Sequence, residues 1–177
     1  MAYGNQFKSA VLGGASFGDT YTTEQYPLGT IRVQLADEVA AATHTDGTTA
    51  LGLKGDRTWM FVQAGVAVEA YDCCVKNAIA TPLVVKPTVG AGDIDYTVSG
   101  IAQNAIAVSS YGWIVIRGEC VVKGAAGITA GQYLDTNGAA VAGQCDDSTV
   151  TDTLIATALT ATGTPVASTV AARVWLP

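Results

Sequence analysis

Histidine occurs once in this chain of 177 residues, as His44. A metal centre built on histidines needs two or three of them, so the count excludes one. Charge is also scarce: Asp, Glu, Lys and Arg make up 14% of the chain. The nine basic residues are scattered among fifteen acidic ones, and the net charge is −6. Nucleic-acid binding needs cations gathered along a line of phosphates. No stretch provides that, and direct contact with nucleic acid is not expected. No apolar run reaches the roughly 18 residues that mark a spanning helix. The opening MAYGNQFKSAVLGG lacks the apolar centre of a secretory leader. These absences point to a protein made in the cytoplasm with no membrane partner. Cysteine is limited to Cys73, Cys74, Cys120 and Cys145. Chains made in a reducing compartment keep such thiols free and buried, and a bridge such as Cys120 to Cys145 is the alternative.

What the chain does have is glycine, at 20 residues, and an apolar set amounting to 49%. At this length one domain can bury about 70% of its unfolded surface and form a core without staples. The centre of the sequence is AIAVSSYGWIVIRGECVVKGAAGITAGQYL, from Ala105 to Leu134. Ser109 to Gly112 reads as a turn. Trp113–Arg117 and Cys120–Lys123 read as extended runs separated by Gly118, and Gly124 to Gly131 forms a corner before Tyr133-Leu134. β-Branched and aromatic runs parted by Gly and Ser are strands and turns. The same grammar marks Ile31–Leu35, Trp59–Gln63 continuing through Val66–Glu69, Tyr96–Val98, Ile101–Ala107, Leu154–Leu159 and Ala171–Leu176. Pro82–Lys86 reads as a strand near a sheet edge, because Pro82 lacks a donor. Asp37–Thr43 is the best short helix. Val89–Asp95 and residues 142–153 read as polar loops. Asn137-Gly138 is a hairpin turn signal. The expected fold is all-β: a β-sandwich or barrel-like body of short strands over residues 31–177, with an extended N-terminal arm over residues 1–30.

The arm has no sustained period, but it carries aromatics at Tyr3, Phe7, Phe17, Tyr21 and Tyr26. Spaced aromatic side chains anchor a strap onto a surface. These five are the candidate partner-binding residues, on the chain's own body or on a neighbour.

Reactive constellations are thin. Gly14-Ala15-Ser16-Phe17-Gly18 has the spacing of a nucleophile elbow, yet no strand precedes it and no helix follows. His44 with Asp46 sits in a Thr- and Gly-rich turn. Cys73 and Cys74 are adjacent and so point to opposite faces of a strand, which is poor geometry for one ion. Asp93 and Asp95 lack the remaining positions of a calcium loop. No catalytic residue, cofactor site or metal site is expected, and the chain is not expected to be an enzyme. Trp113 and Trp175 lie in strand runs and read as core or interface.

Residues 111–176 resemble the body of head decoration, or capsid cement, proteins of tailed bacteriophages. The resemblance is carried by the Gly-aromatic strand ending at Gly118, Cys120-Val121-Val122, Ala126-Gly127-Ile128-Thr129-Ala130-Gly131 before Tyr133-Leu134, and a turn with Gly138. Leu154 to Leu159 and the closing Arg173-Val174-Trp175-Leu176 complete it. It implies a virion protein on the capsid exterior that binds the major capsid protein and stabilises contacts between capsomers. It also implies a homo-oligomer, with a trimer favoured. The other functions considered are a β-rich tail, fibre or pilus-like subunit and a carbohydrate-binding module.

Overall fold

The computed structural model describes residues 16–36, 53–78, 81–88, 98–136, 141–147, 155–161 and 168–176. Its strands are, in chain order, β1 (Ile31–Gln34), β2 (Arg57–Ala64), β3 (Cys73–Ala78), β4 (Thr81–Pro87), β5 (Val98–Ala102), β6 (Tyr111–Gly124), β7 (Tyr133–Asp135), β8 (Asp146–Asp147), β9 (Ala156–Ala158) and β10 (Ser168–Trp175). They join one sheet in the order β1-β2-β4-β3-β5-β6-β10-β9-β7-β8, and β2 pairs additionally with β6. That extra pairing closes β2, β4, β3, β5 and β6 into a small ring. From the ring, β10, β9, β7 and β8 continue as an open wing. The fold is all-β, as expected, and combines a barrel with a layer packed against it.

Alternation along the strands builds both cores. Val62 of β2, Cys74 of β3, Val85 of β4, Ala102 of β5 and Ile114 of β6 form one buried cluster. Each ring strand supplies a member, so this cluster fills the ring. The neighbouring residues Phe61, Cys73, Ile101 and Trp113 point the other way. They pack with Cys120 and Val122 of β6, Leu134 of β7, Ala156 of β9 and Ala172 of β10 in the main core between ring and wing.

The two runs expected on either side of Gly118 are one 14-residue strand. Its first half pairs with β2 and β5, and its second half with β10. The register against β2 slips between Thr58 and Trp59, and Gly118 holds φ at +107°. The strand therefore bends there without ending, which lets it serve both layers.

Three further expectations need correcting. The proline-bearing strand β4 is not at an edge but lies between β2 and β3. Pro82 is tolerated because β2 pairs with β4 only at Val84 and Val85, and the register with β3 skips from Thr81 to Val85. No ladder bond is asked of its missing N–H. The expected polar loop 142–153 contains β8, and Cys145 exchanges backbone bonds with Lys123 and Ala125. The run beyond Ala64 does not extend β2; only Val68 forms a bridge, to Ile106. The expected helix Asp37–Thr43, the loop Val89–Asp95 and the turn at Asn137-Gly138 lie outside the described residues.

Candidate functional site

Of the five aromatics proposed to grip a partner, Tyr3 and Phe7 lie outside the described residues. Phe17, Tyr21 and Tyr26 are half-buried on the chain's own body, against the outward face of β2 and β6. Phe17 stacks on Trp59 with centroids 5.0 Å apart and meets Trp113 edge-on at 5.6 Å. Tyr26 meets Phe61 edge-on at 5.3 Å and lies 5.4 Å from Trp113. Tyr21 lies 6.2 Å from Phe61. Such pairs contribute about 0.5–1.5 kcal/mol each beyond the area they bury.

Backbone bonds fix the segment as firmly as the rings do. Tyr21 and Tyr111 exchange N–H···O bonds of 2.9 and 2.8 Å. Gly29 donates to Phe61 O at 2.8 Å, and Phe61 donates to Thr30 O at 2.9 Å. The segment then runs into β1, whose Arg32 guanidinium sits 4.4 Å from the Tyr26 ring centroid and 5.4 Å from that of Trp113. Gln34 Oε1 accepts the indole N–H of Trp59 at 3.1 Å. Burial, and then the nearby Asp19 carboxylate, raise the Tyr21 phenol above its ordinary pKa. Residues 16–34 thus form a strap with its rings turned inward. Asp19, Thr22, Thr23, Glu24 and Gln25 are turned to solvent. This arrangement can bind by shape and hydrogen bonding; it gathers no nucleophile, base or oxyanion donor.

No family model matches the chain, and no curated protein matches it. Among solved structures, it is similar to the head fiber gp8.5 N base of bacteriophage phi29. The TM-score is 0.47 and the identity 13%, over 66% of this chain and 92% of that one.

Of the residues singled out for chemistry, Ser16 and the four cysteines are among the described residues, and Ser16 stands apart from the buried thiols. Ser16 lies in an exposed turn, where its Oγ accepts from Gly18 N at 3.1 Å and its N–H donates to Asp19 Oδ2 at 3.3 Å. His44, Asp46, Asp93 and Asp95 lie outside the described residues. All four cysteines are free thiols in the interior. Cys73 and Cys74 do face opposite layers, one in the main core and one inside the ring. Burial pushes the Cys120 thiol up to about 12. A hydrogen bond with Cys145, together with burial, holds Cys73 well above the ordinary thiol range. Such thiols are poor nucleophiles. Among the described residues no group of His, Cys, Asp and Glu is arranged to hold a metal ion, and no helix is long and apolar enough to cross a membrane.

Sequence reasoning passed over a set of polar residues on the outer face of the wing, around Arg117, Arg173 and Trp175. They come from strands far apart in the chain, and only the register of β6 with β10 brings them together.

Proposed function

We propose that this chain is a structural virion protein, a capsid decoration or cement protein. In this reading it binds the outer surface of an assembled phage head and stabilises contacts between capsomers. Its partner is the major capsid protein, it works as a homo-oligomer, with a trimer favoured, and it performs no catalysis. One observation carries the reading: the stretches that resemble decoration proteins fall on neighbouring strands. The runs around Tyr111–Gly124, Tyr133-Leu134, Ala156–Ala158 and Ser168–Trp175 become β6, β7, β9 and β10, which pair successively as β6–β10–β9–β7. The resemblance therefore describes a contiguous piece of structure. The rigid, ring-pinned strap supports the same reading, because a preordered binding segment loses little conformational freedom on docking. A protein that binds the assembled shell but not its free subunits stabilises the shell by linkage.

The test is sedimentation of the full chain with assembled heads and, separately, with unassembled capsid subunits. Co-sedimentation with heads that saturates at a fixed number of copies per capsomer is the expected result. Deleting residues 1–15 removes Tyr3 and Phe7 while leaving the packed strap in place, and should lower occupancy at least about tenfold. Equal affinity for free subunits and heads would sink the proposal.

A further inference from the structure

Tyr133 and Trp175 are the most solvent-open aromatics among the described residues of the body, at 54% and 36% exposure. Ladder register explains why they meet. Tyr133 stands opposite Thr157, Thr157 opposite Arg173, and Arg173 opposite Glu119, while Trp175 stands opposite Arg117. Directly opposed residues share a face, and this is the face of the wing turned away from the main core. The two rings meet edge-on, with centroids 6.4 Å apart and an interplanar angle of 84°. Beside them runs an open groove of about 530 Å³, lined by Lys54, Asp56, Arg117, Glu119, Arg173 and Trp175 among others.

The charges in the groove are unequal in availability. Glu119 is already engaged: its Oε2 accepts from Lys54 N at 2.8 Å and its Oε1 from Arg173 Nη2 at 2.6 Å. Asp56 Oδ1 accepts from Ala36 N at 2.8 Å. The Arg117 guanidinium and the Lys54 ammonium, by contrast, make no ion pair among the described residues. Glu119 is paired with Arg173, while Asp56 keeps its charge, so the three cations Lys54, Arg117 and Arg173 exceed the two carboxylates by one among the described lining residues, on a chain whose net charge is −6. The groove is a local positive site on an otherwise acidic molecule.

We propose that this groove binds an acidic segment of a protein partner. An Asp or Glu carboxylate takes the planar fork of Arg117, which matches it in two parallel hydrogen bonds. A neighbouring apolar side chain of the partner fills the notch between Trp175 and Tyr133. A polypeptide fits better than other polyanions for three reasons. The cations are too few to follow a phosphate backbone. An edge-to-face ring pair offers a notch rather than the flat platform on which a base stacks. Exposed Trp, Tyr and Arg gathered at one place are also the composition of protein hot spots. The inference does not depend on the strap or on head binding.

The test uses the full chain and a fluorescein-labelled decaglutamate peptide, read by anisotropy at ~0.05 M salt. Saturable binding is expected, weakened at least about tenfold by Arg117→Glu and comparably at ~0.3 M salt. A decapeptide alternating Glu and Phe should bind more tightly than decaglutamate, and Trp175→Ala should abolish that gain. Arg117 is exposed and makes no ion pair among the described residues, so its replacement should leave the fold intact, which circular dichroism checks. Undiminished peptide binding by Arg117→Glu overturns the proposal, as does no binding at all. A uronic-acid oligosaccharide of equal charge binding more tightly than either peptide overturns it in favour of an acidic glycan. Any of these failures leaves head binding, measured on assembled heads, a separate question.

Discussion

At Gly118 the backbone of β6 holds φ at +107°, a region that side chains rarely adopt. A Cβ built there would overlap the carbonyl oxygen of Asp56 and lie 3.0 Å from the Cα of Arg57. Both neighbours are backbone, so no side chain can swing aside to make room. Gly118→Ala should therefore destabilise the protein by about 2–4 kcal/mol through strain and displaced chain. Denaturant unfolding measures this; a loss below about 0.5 kcal/mol, typical of an indifferent surface site, would show that β6 does not need the bend. The position was visible in the sequence as a glycine between two apolar runs. That the chain continues through it was not. A glycine that interrupts a strand and one that bends it look alike until the facing segment, here residues 56–57, is known.

The second half of β6 poses a problem at the scale of the element. One edge pairs with β10 from Arg117 to Gly124. The other is not reached by β5, whose pairing with β6 goes no further than Val115. The side chain of Gln103 takes its place: Nε2 donates to Val121 O at 2.8 Å, and Oε1 accepts from Val121 N at 3.1 Å. One buried amide thus imitates a strand neighbour, and Tyr71 O and Cys145 continue the edge by bonding to the backbone around Lys123. Gln103→Ala leaves a buried N–H and C=O without partners, and a cost of about 2–4 kcal/mol is expected. Gln103→Glu keeps the acceptor but turns the donor into a second oxygen facing Val121 O, so it should recover little. Hydrogen exchange at the Val121 amide checks the assignment; unchanged protection in Gln103→Ala would refute it. The strands themselves were largely legible from β-branched runs and alternation, including β1, β2, β6, β9 and β10. The placement of β4 was not, because a proline near the strand start says nothing about which neighbour begins pairing only after it. Gln103 was invisible for the same reason: its partner lies 18 residues away on another strand.

For the molecule as a whole, β6 is shared. It closes the ring with β2 and also carries the wing through β10, so neither layer can leave without opening that strand. The thiols report on this directly. Cys73, Cys120 and Cys145 lie in the core between ring and wing, and Cys74 lies inside the ring. If the two layers come apart as one unit, all four should become reactive together and at the rate at which the aromatic near-ultraviolet signal is lost. Three thiols reacting before the fourth would mean that the wing detaches first, and the shared-strand account would fail. The same thiols give stability a pH dependence of known sign. Burial raises Cys120 from the ordinary 9.0 to about 12. Cys73, through its bond with Cys145 and its burial, and Cys74, through burial, are raised as well. The folded state therefore keeps protons that the unfolded chain releases. Stability from this source is intact below pH 9 and falls as pH rises from 9 toward 12, by about 1.4 kcal/mol per pH unit for each such thiol. Cys120→Ala should shallow that fall while lowering stability below pH 9 through the cavity it leaves. Denaturation midpoints measured across this range for the parent and the variant separate the two effects: the cavity shifts both ends equally, whereas the lost thiol changes the slope.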